Sequence, residues 1–124
     1  MQLIEVTDKR SAREFLNVPL DIYKDDKNWI RPLDKDIEQV FDKEKNKAFR
    51  HGEAIRWILK DDSGKPIGRV AAYVNKRYKT KGDEVPVGGM GFFECSNDQH
   101  AANILFDACK NWLQSKGMGA MDGP

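Results

Sequence analysis

A chain of 124 residues with 40% hydrophobic and 10% aromatic side chains can bury one core and has no material for a second domain. Lys and Arg number 21 against 20 Asp and Glu, so a net charge of +1 supplies no whole-molecule field for nucleic acid, membrane or acidic substrates. The charged fraction of 33% is high, but apolar clusters recur along the chain, which argues against global disorder.

The N-terminus, Met1-Gln2-Leu3-Ile4-Glu5-Val6, lacks a basic segment followed by a long apolar run. No uncharged apolar stretch reaches the roughly 18 residues a membrane helix needs, so the expectation is a soluble, cytoplasmic protein. Leu3, Ile4 and Val6 read as a short strand before a helix start at Thr7-Asp8, with Ser11 as a second capping choice. Ala12, Phe15 and Leu16 then fall at helical spacing. Pro19 should break or kink this helix, yet Leu20, Ile22 and Tyr23 carry the apolar pattern onward, so the helix is expected to end near Tyr23.

Asn28-Trp29-Ile30-Arg31-Pro32-Leu33 is too irregular for a helix and reads as a loop pinned by Trp29. Asp34 or Asp36 can cap a second helix in which Ile37, Val40 and Phe41 recur at i, i+3 and i+4. Residues 54–59, a turn at Asp61-Asp62-Ser63-Gly64-Lys65-Pro66, and residues 67–74 form the clearest hairpin. The polar stretch 76–84, with Tyr78 among its lysines, is expected to be a solvated loop rather than a grip for RNA or for a coenzyme A phosphate. It leads into a third antiparallel strand that begins with Val85, Val87 and Met90 and continues through Phe92-Phe93-Glu94-Cys95.

Ser96-Asn97-Asp98 then turns into a helix whose Ala101, Ile104, Leu105, Ala108, Cys109, Trp112 and Leu113 share one face, with Gly117 ending it. Residues 118–124 could make one more strand with nothing behind to cover it, so the chain reads as a fragment. The 2 cysteines, Cys95 and Cys109, stand in no CxxC pair and read as free thiols. His51 has no partners at ligand spacing, and with 2 histidines in the chain no metal is expected. Trp57 and Trp112 are expected in the core.

Three stretches carry a resemblance: Tyr23-Lys24-Asp25-Asp26-Lys27-Asn28-Trp29-Ile30-Arg31-Pro32-Leu33, Gly68-Arg69-Val70-Ala71-Ala72, and Gly91-Phe92-Phe93-Glu94-Cys95 with Asp98. With the element order they resemble a bacterial GNAT-like N-acyltransferase family of uncertain substrate, over nearly the whole chain. The resemblance implies an α+β fold: a mixed, mostly antiparallel sheet flanked by helices, here as a single domain of residues 1–124 lacking the C-terminal strands and helix. It also implies acyl transfer from acetyl-CoA or another acyl-CoA to an amine, with no nucleic acid or membrane partner. A homodimer through the exposed C-terminal edge is a further expectation.

On the same resemblance, backbone amides of Gln99, His100, Ala101, Ala102 and Asn103 would hold the pyrophosphate, where unpaired N–H groups meet the positive end of the helix dipole. Phe93 and Cys95 would flank the pantetheine arm, and Glu94 is the candidate base, against the simpler reading of a solvent-facing strand residue. Ordinary GNAT domains have a basic, glycine-rich Q/R-x-x-G-x-G/A loop where this chain has Asn97-Asp98-Gln99-His100-Ala101-Ala102. Ala101 and Ala102 permit close approach, whereas Asp98 either caps the helix or repels a phosphate. Cys95 is either a buried structural thiol or a nucleophile whose pKa the helix start lowers. His100 either donates to a phosphate or is a surface residue. The competing class is a non-catalytic ligand-binding or interaction module on the same scaffold.

Overall fold

The computed structural model describes residues 1–75 and 86–123. Its elements are β1 (Gln2–Glu5), α1 (Lys9–Ile22), α2 (Asp34–Val40), a 3-10 turn (Lys47–Arg50), β2 (Gly52–Lys60), β3 (Pro66–Asn75), β4 (Val87–Cys95), α3 (Gln99–Ser115) and β5 (Ala120–Asp122). The expected lysine-rich loop with Tyr78, and Val85 at the head of the third strand, lie outside the described residues.

The strands lie side by side in the order β1-β2-β3-β4-β5. Each neighbouring pair is antiparallel except β4 and β5, which run parallel because α3 carries the chain back across the sheet between them. Among the described residues no helix is long and apolar enough to cross a membrane.

Strand alternation divides the apolar residues between two faces. Trp57, Leu59, Val70, Ala72, Val74 and Met90 meet Ala101, Leu105, Cys109 and Leu113, which recur every fourth residue along α3. Trp112 packs half-buried beside them. On the other face, Ile58 and Ala71 pack against Phe15, Leu16 and Val18 of α1 and Ile37 of α2. A side chain such as Leu105, with no exposed area, contributes roughly 1.5–3 kcal/mol by leaving water.

Helix α1 starts in a capping box: the Ser11 N–H donates to Asp8 Oδ1 at 2.7 Å and the Asp8 N–H donates to Ser11 Oγ at 3.2 Å. Pro19 sits inside it without ending it, and Tyr23 is its C-cap. The expected cap of α2 is corrected: Leu33 occupies the N-cap position with no side-chain hydrogen bond, and Asp34 instead accepts from Arg31 Nη2 at 2.9 Å. Helix α3 ends as expected at Gly117, whose φ of +82° is left-handed and whose N–H donates to the Gln114 carbonyl at 3.0 Å.

Candidate active site

The site is organised by a bulge in β4. Arg69 pairs with Glu94 and Ala71 with Gly91, so β4 carries one more residue than β3 between those pairs. The extra residue is accommodated at Phe92, whose φ of +55° lies in the left-handed region. Such a conformation costs a non-glycine residue on the order of 1–3 kcal/mol and persists only where its surroundings enforce it.

Arg69 provides that enforcement. It is 5% exposed, and its Nε donates to the Phe92 carbonyl at 3.0 Å while Nη1 donates to the Phe15 carbonyl at 2.9 Å. The Phe15 carbonyl is the one whose helical donor would have come from position 19, where proline has no N–H. One guanidinium therefore serves the carbonyl freed by a proline in α1 and the carbonyl turned aside by a bulge in β4. Its carbon also lies 4.8 Å from the Phe15 ring centroid. Burial pulls the Arg69 pKa below the ordinary arginine value, and the neighbouring Glu94 carboxylate opposes that shift.

The bulge sets where the following side chains point. Phe92 packs with Phe15 and Phe41, at centroid distances of 6.2 and 5.1 Å, while Phe93 stacks on Phe106 of α3 at 4.7 Å. Glu94 returns to the α1 side, where Tyr23 Oη donates to its Oε2 at 2.6 Å. Tyr23 is itself stacked on Trp29 at 5.3 Å, so the loop pinned by Trp29 holds the residue that meets Glu94. The hydrogen bond to Glu94, and secondarily burial, raise the Tyr23 pKa above 10.0. Glu94 is half-buried, not a solvent-facing strand residue.

Phe93 and Cys95 lie on the α3 side and help line a cleft of about 580 Å³ with Ile22, Asn97, Gln99 and Ala102. At the cleft's end the Asp98 carboxylate turns back: the Ala101 N–H donates to Asp98 Oδ1 at 3.1 Å, and the Ala102 N–H donates to the Asp98 carbonyl at 3.0 Å. Asp98 thus caps α3. Of the amides expected to hold pyrophosphate, those of Ala101 and Ala102 are taken and Asn103 falls within the helical ladder. Gln99 and His100, both exposed, have backbone N–H groups with no partner among the described residues. The Ala101 side chain is fully buried in the core, and Asn103 Oδ1 accepts from Gln99 Nε2 at 2.9 Å on the exposed face.

The idea that the helix start activates Cys95 is corrected: burial first, and then the Asp98 carboxylate, raise its pKa, with a Ser96 hydrogen bond opposing them. Cys109 is pushed up to about 12 by burial in the core. Both thiols are free. His51 caps the end of the 3-10 turn.

Several of these contacts left no local signal. The Tyr23–Glu94 bond spans 71 residues and the Arg69–Phe15 bond 54. A second cavity, of about 570 Å³, was likewise not anticipated; it opens between α2, the 3-10 turn and the starts of β2 and β4.

No family model matches the chain. It is 25% identical over 124 residues to a bacterial ceramide synthase of Caulobacter vibrioides, covering 100% of this chain and 32% of that protein. It is 28% identical over 116 residues to protein YghO of Escherichia coli, covering 94% of this chain and 29% of that one. The chain therefore spans about a third of the length of these curated relatives. Among solved structures, an aminoglycoside 6'-N-acetyltransferase of Acinetobacter haemolyticus superposes with a TM-score of 0.70 at 13% identity, over 100% of this chain and 79% of that one. A second, AAC(6')-Iy in complex with a CoA bisubstrate analogue, gives 0.65 at 16% identity, over 100% and 80%. The fold of this chain is that of the GNAT N-acetyltransferases, as the resemblance implied.

Proposed function

We propose that this chain carries the acyl-CoA side of a GNAT-type N-acyltransferase, with acetyl-CoA or another acyl-CoA as donor and an amine as acceptor. The observation that carries the reading is the β4–α3 unit. Strand β5 pairs with β4 only over Val87, Gly88 and Gly89, so the β4 edge from Gly91 onward has no strand neighbour on that side among the described residues. That open edge can hydrogen-bond an extended pantetheine arm, and it leads to the amides of Gln99 and His100, which have no partner among the described residues and where a pyrophosphate would bind. The names of the neighbours, N-acetyltransferases, and of one relative, a ceramide synthase, support it.

In this reaction the amine nitrogen forms a bond to the thioester carbonyl carbon, the C–S bond breaks, and coenzyme A leaves with the sulfur. The amine must lose a proton, and we assign that role to the Glu94 carboxylate, directly or through water. Tyr23 holds Glu94 at 2.6 Å and fixes its rotamer. On this reading the protein acts in the cytoplasm, and the exposed β5 edge is the surface for a homodimer, which sedimentation at two concentrations tests.

One observation favours a second reading, a non-catalytic module: the Asp98 carboxylate stands at the helix start that a phosphate would need. Titration with acetyl-CoA, followed by backbone amide shifts, separates the two. Gln99, His100, Phe93 and Cys95 should respond on the acyltransferase reading. Silence at those amides at millimolar acetyl-CoA sinks it.

A further inference from the structure

The second cavity lies on the α2 side of the sheet, beside the first residues of β4. Its volume of about 570 Å³ falls in the range of roughly 300–1,000 Å³ typical of small-molecule sites. Phe41, Phe49, Tyr73 and Phe92 wall it with aromatic rings, and Gly88 and Gly89 contribute bare backbone. Tyr73 remains 46% exposed, a large ring left open on the sheet face.

Most of the lining is apolar, and its neutral polar side chains are Asn46, Tyr73 and Asn75. Its charged groups are Glu53 and Asp122, and neither Lys nor Arg lines the cavity among the described residues. Arg56 lies over the Phe41 ring at 4.4 Å without entering the lining. Glu53 shares the α3 face of β2 with Ile55 and Trp57, where Lys116 Nζ donates to it at 3.1 Å, so Asp122 is the lining carboxylate without a partner among the described residues. Phe92 joins the cavity to the site already described. It faces the same side of β4 as Glu94, while Phe93 and Cys95 face the other.

We propose that this cavity receives the acceptor, and that the acceptor is an amine with an apolar body, an alkyl chain or an aromatic ring, rather than an amino sugar. The proposal rests on the acyl-transfer reading. Apolar walls and ring faces take up hydrocarbon and favour an ammonium group, and Asp122 adds a complementary charge. An amino sugar would bring a hydroxyl on most of its carbons into walls that offer few partners, which disfavours it. The cavity opens on the face of β4 that also carries Glu94, with Phe92 between them, and the acyl donor would lie along the open edge.

The test is titration of the 124-residue chain with octylammonium chloride, glucosamine and octanoate, read at backbone amides. Octylammonium should shift Ala54, Tyr73, Gly88 and Gly89, and glucosamine and octanoate should bind at least about tenfold more weakly. Ala54→Trp, which fills the cavity, should weaken octylammonium by about tenfold or more while leaving the acetyl-CoA response of Gln99 and His100 in place. Should that variant lose the wild-type amide pattern, Ala48→Trp on the exposed 3-10 turn makes the same test. Asp122→Asn should weaken octylammonium by about two- to fivefold. Glucosamine binding as tightly as octylammonium, or octylammonium shifts indifferent to both tryptophans, overturns the proposal. Loss of the octylammonium response alone, with acetyl-CoA still bound, overturns it without touching the acyl-transfer reading. Octylammonium bound in the cavity with Gln99 and His100 silent to acetyl-CoA supports the ligand class and overturns the transfer reading instead.

Discussion

The two faces of the sheet are built on different principles. Against α3, the buried residues from Trp57 to Leu113 are all apolar and interlock at regular spacing. Against α1 and α2, apolar packing shares its space with a buried guanidinium, a helix with a proline inside it, a bulged strand and an unfilled cavity. The first face supplies rigidity. The second accepts irregularity, and it is where Glu94, Tyr23 and the proposed acceptor cavity lie, as expected if local strain is tolerated where chemistry needs shaped space.

The sharpest way to break this comparison is to truncate one side chain on each face. Leu105→Ala, on the regular face, should lower unfolding stability by roughly 3–4 kcal/mol, because a close-packed site cannot collapse around the void. Arg69→Met should cost less, about 2–3 kcal/mol: two carbonyls lose their donors, but a costly buried charge disappears as well. Urea unfolding of both variants gives the ranking. If Arg69→Met were the more damaging, the α1 face would be held by its polar staple rather than by its apolar packing.

The same logic yields a coupling. In the Arg69→Met background, Pro19→Ala should restore about 1 kcal/mol, since the new N–H at position 19 can reach the Phe15 carbonyl that Arg69 no longer serves. In the native background Pro19→Ala should change stability far less. A double-mutant cycle with no coupling would mean that the Phe15 carbonyl finds another donor.

The contrast between the faces also explains what could be read from the sequence. Residues on the α3 face repeat at the periods of a strand and a helix, so Ala101, Leu105, Cys109 and Leu113 marked their partners' side without any structure. The turn at Asp98 and the stop at Gly117 were legible for the same reason, because capping is local chemistry. Pro19 was visible only as a conflict, since its resolution is an arginine 50 positions away in β3. The bulge at Phe92 was not legible, because nothing in Gly91-Phe92-Phe93 distinguishes a flat strand from one with an extra residue. Glu94 was singled out by resemblance, while Tyr23 as its donor needed the loop to be folded back by Trp29. The cavity depends on how α2 and the 3-10 turn sit over β2 and β4, which no spacing rule encodes.

A smaller effect concerns the Tyr23–Glu94 bond. Tyr23→Phe should cost about 1 kcal/mol at neutral pH, a hydrogen bond to a carboxylate in a half-exposed place. The sign of its pH dependence follows from the raised Tyr23 pKa. The folded state favours the protonated phenol, so this stabilisation is fully present below the ordinary value of 10.0 and is lost as pH rises through the raised one. The gap between wild type and Tyr23→Phe should therefore narrow in strongly alkaline solution. Absorbance titration near 295 nm gives a direct check, because Glu94→Gln should bring the Tyr23 phenol back toward its ordinary value.

The smallest expected change in stability decides the most about function. Asp98→Ala removes the α3 cap and should cost about 1 kcal/mol, while Asp98→Asn keeps an acceptor for the Ala101 N–H and should stay within a few tenths. The two variants lose the same charge at the helix start, where Gln99 and His100 present their amides. If phosphate binds there, Asp98→Asn should tighten acetyl-CoA several-fold, consistent with about 1 kcal/mol between charges separated by a few ångströms of water-rich surroundings. The gain should shrink at high salt, because exposed charges are screened. A helix start that binds no phosphate shows no gain with Asp98→Asn at any salt concentration, and the capping carboxylate is then a structural feature of a module that has no acyl donor.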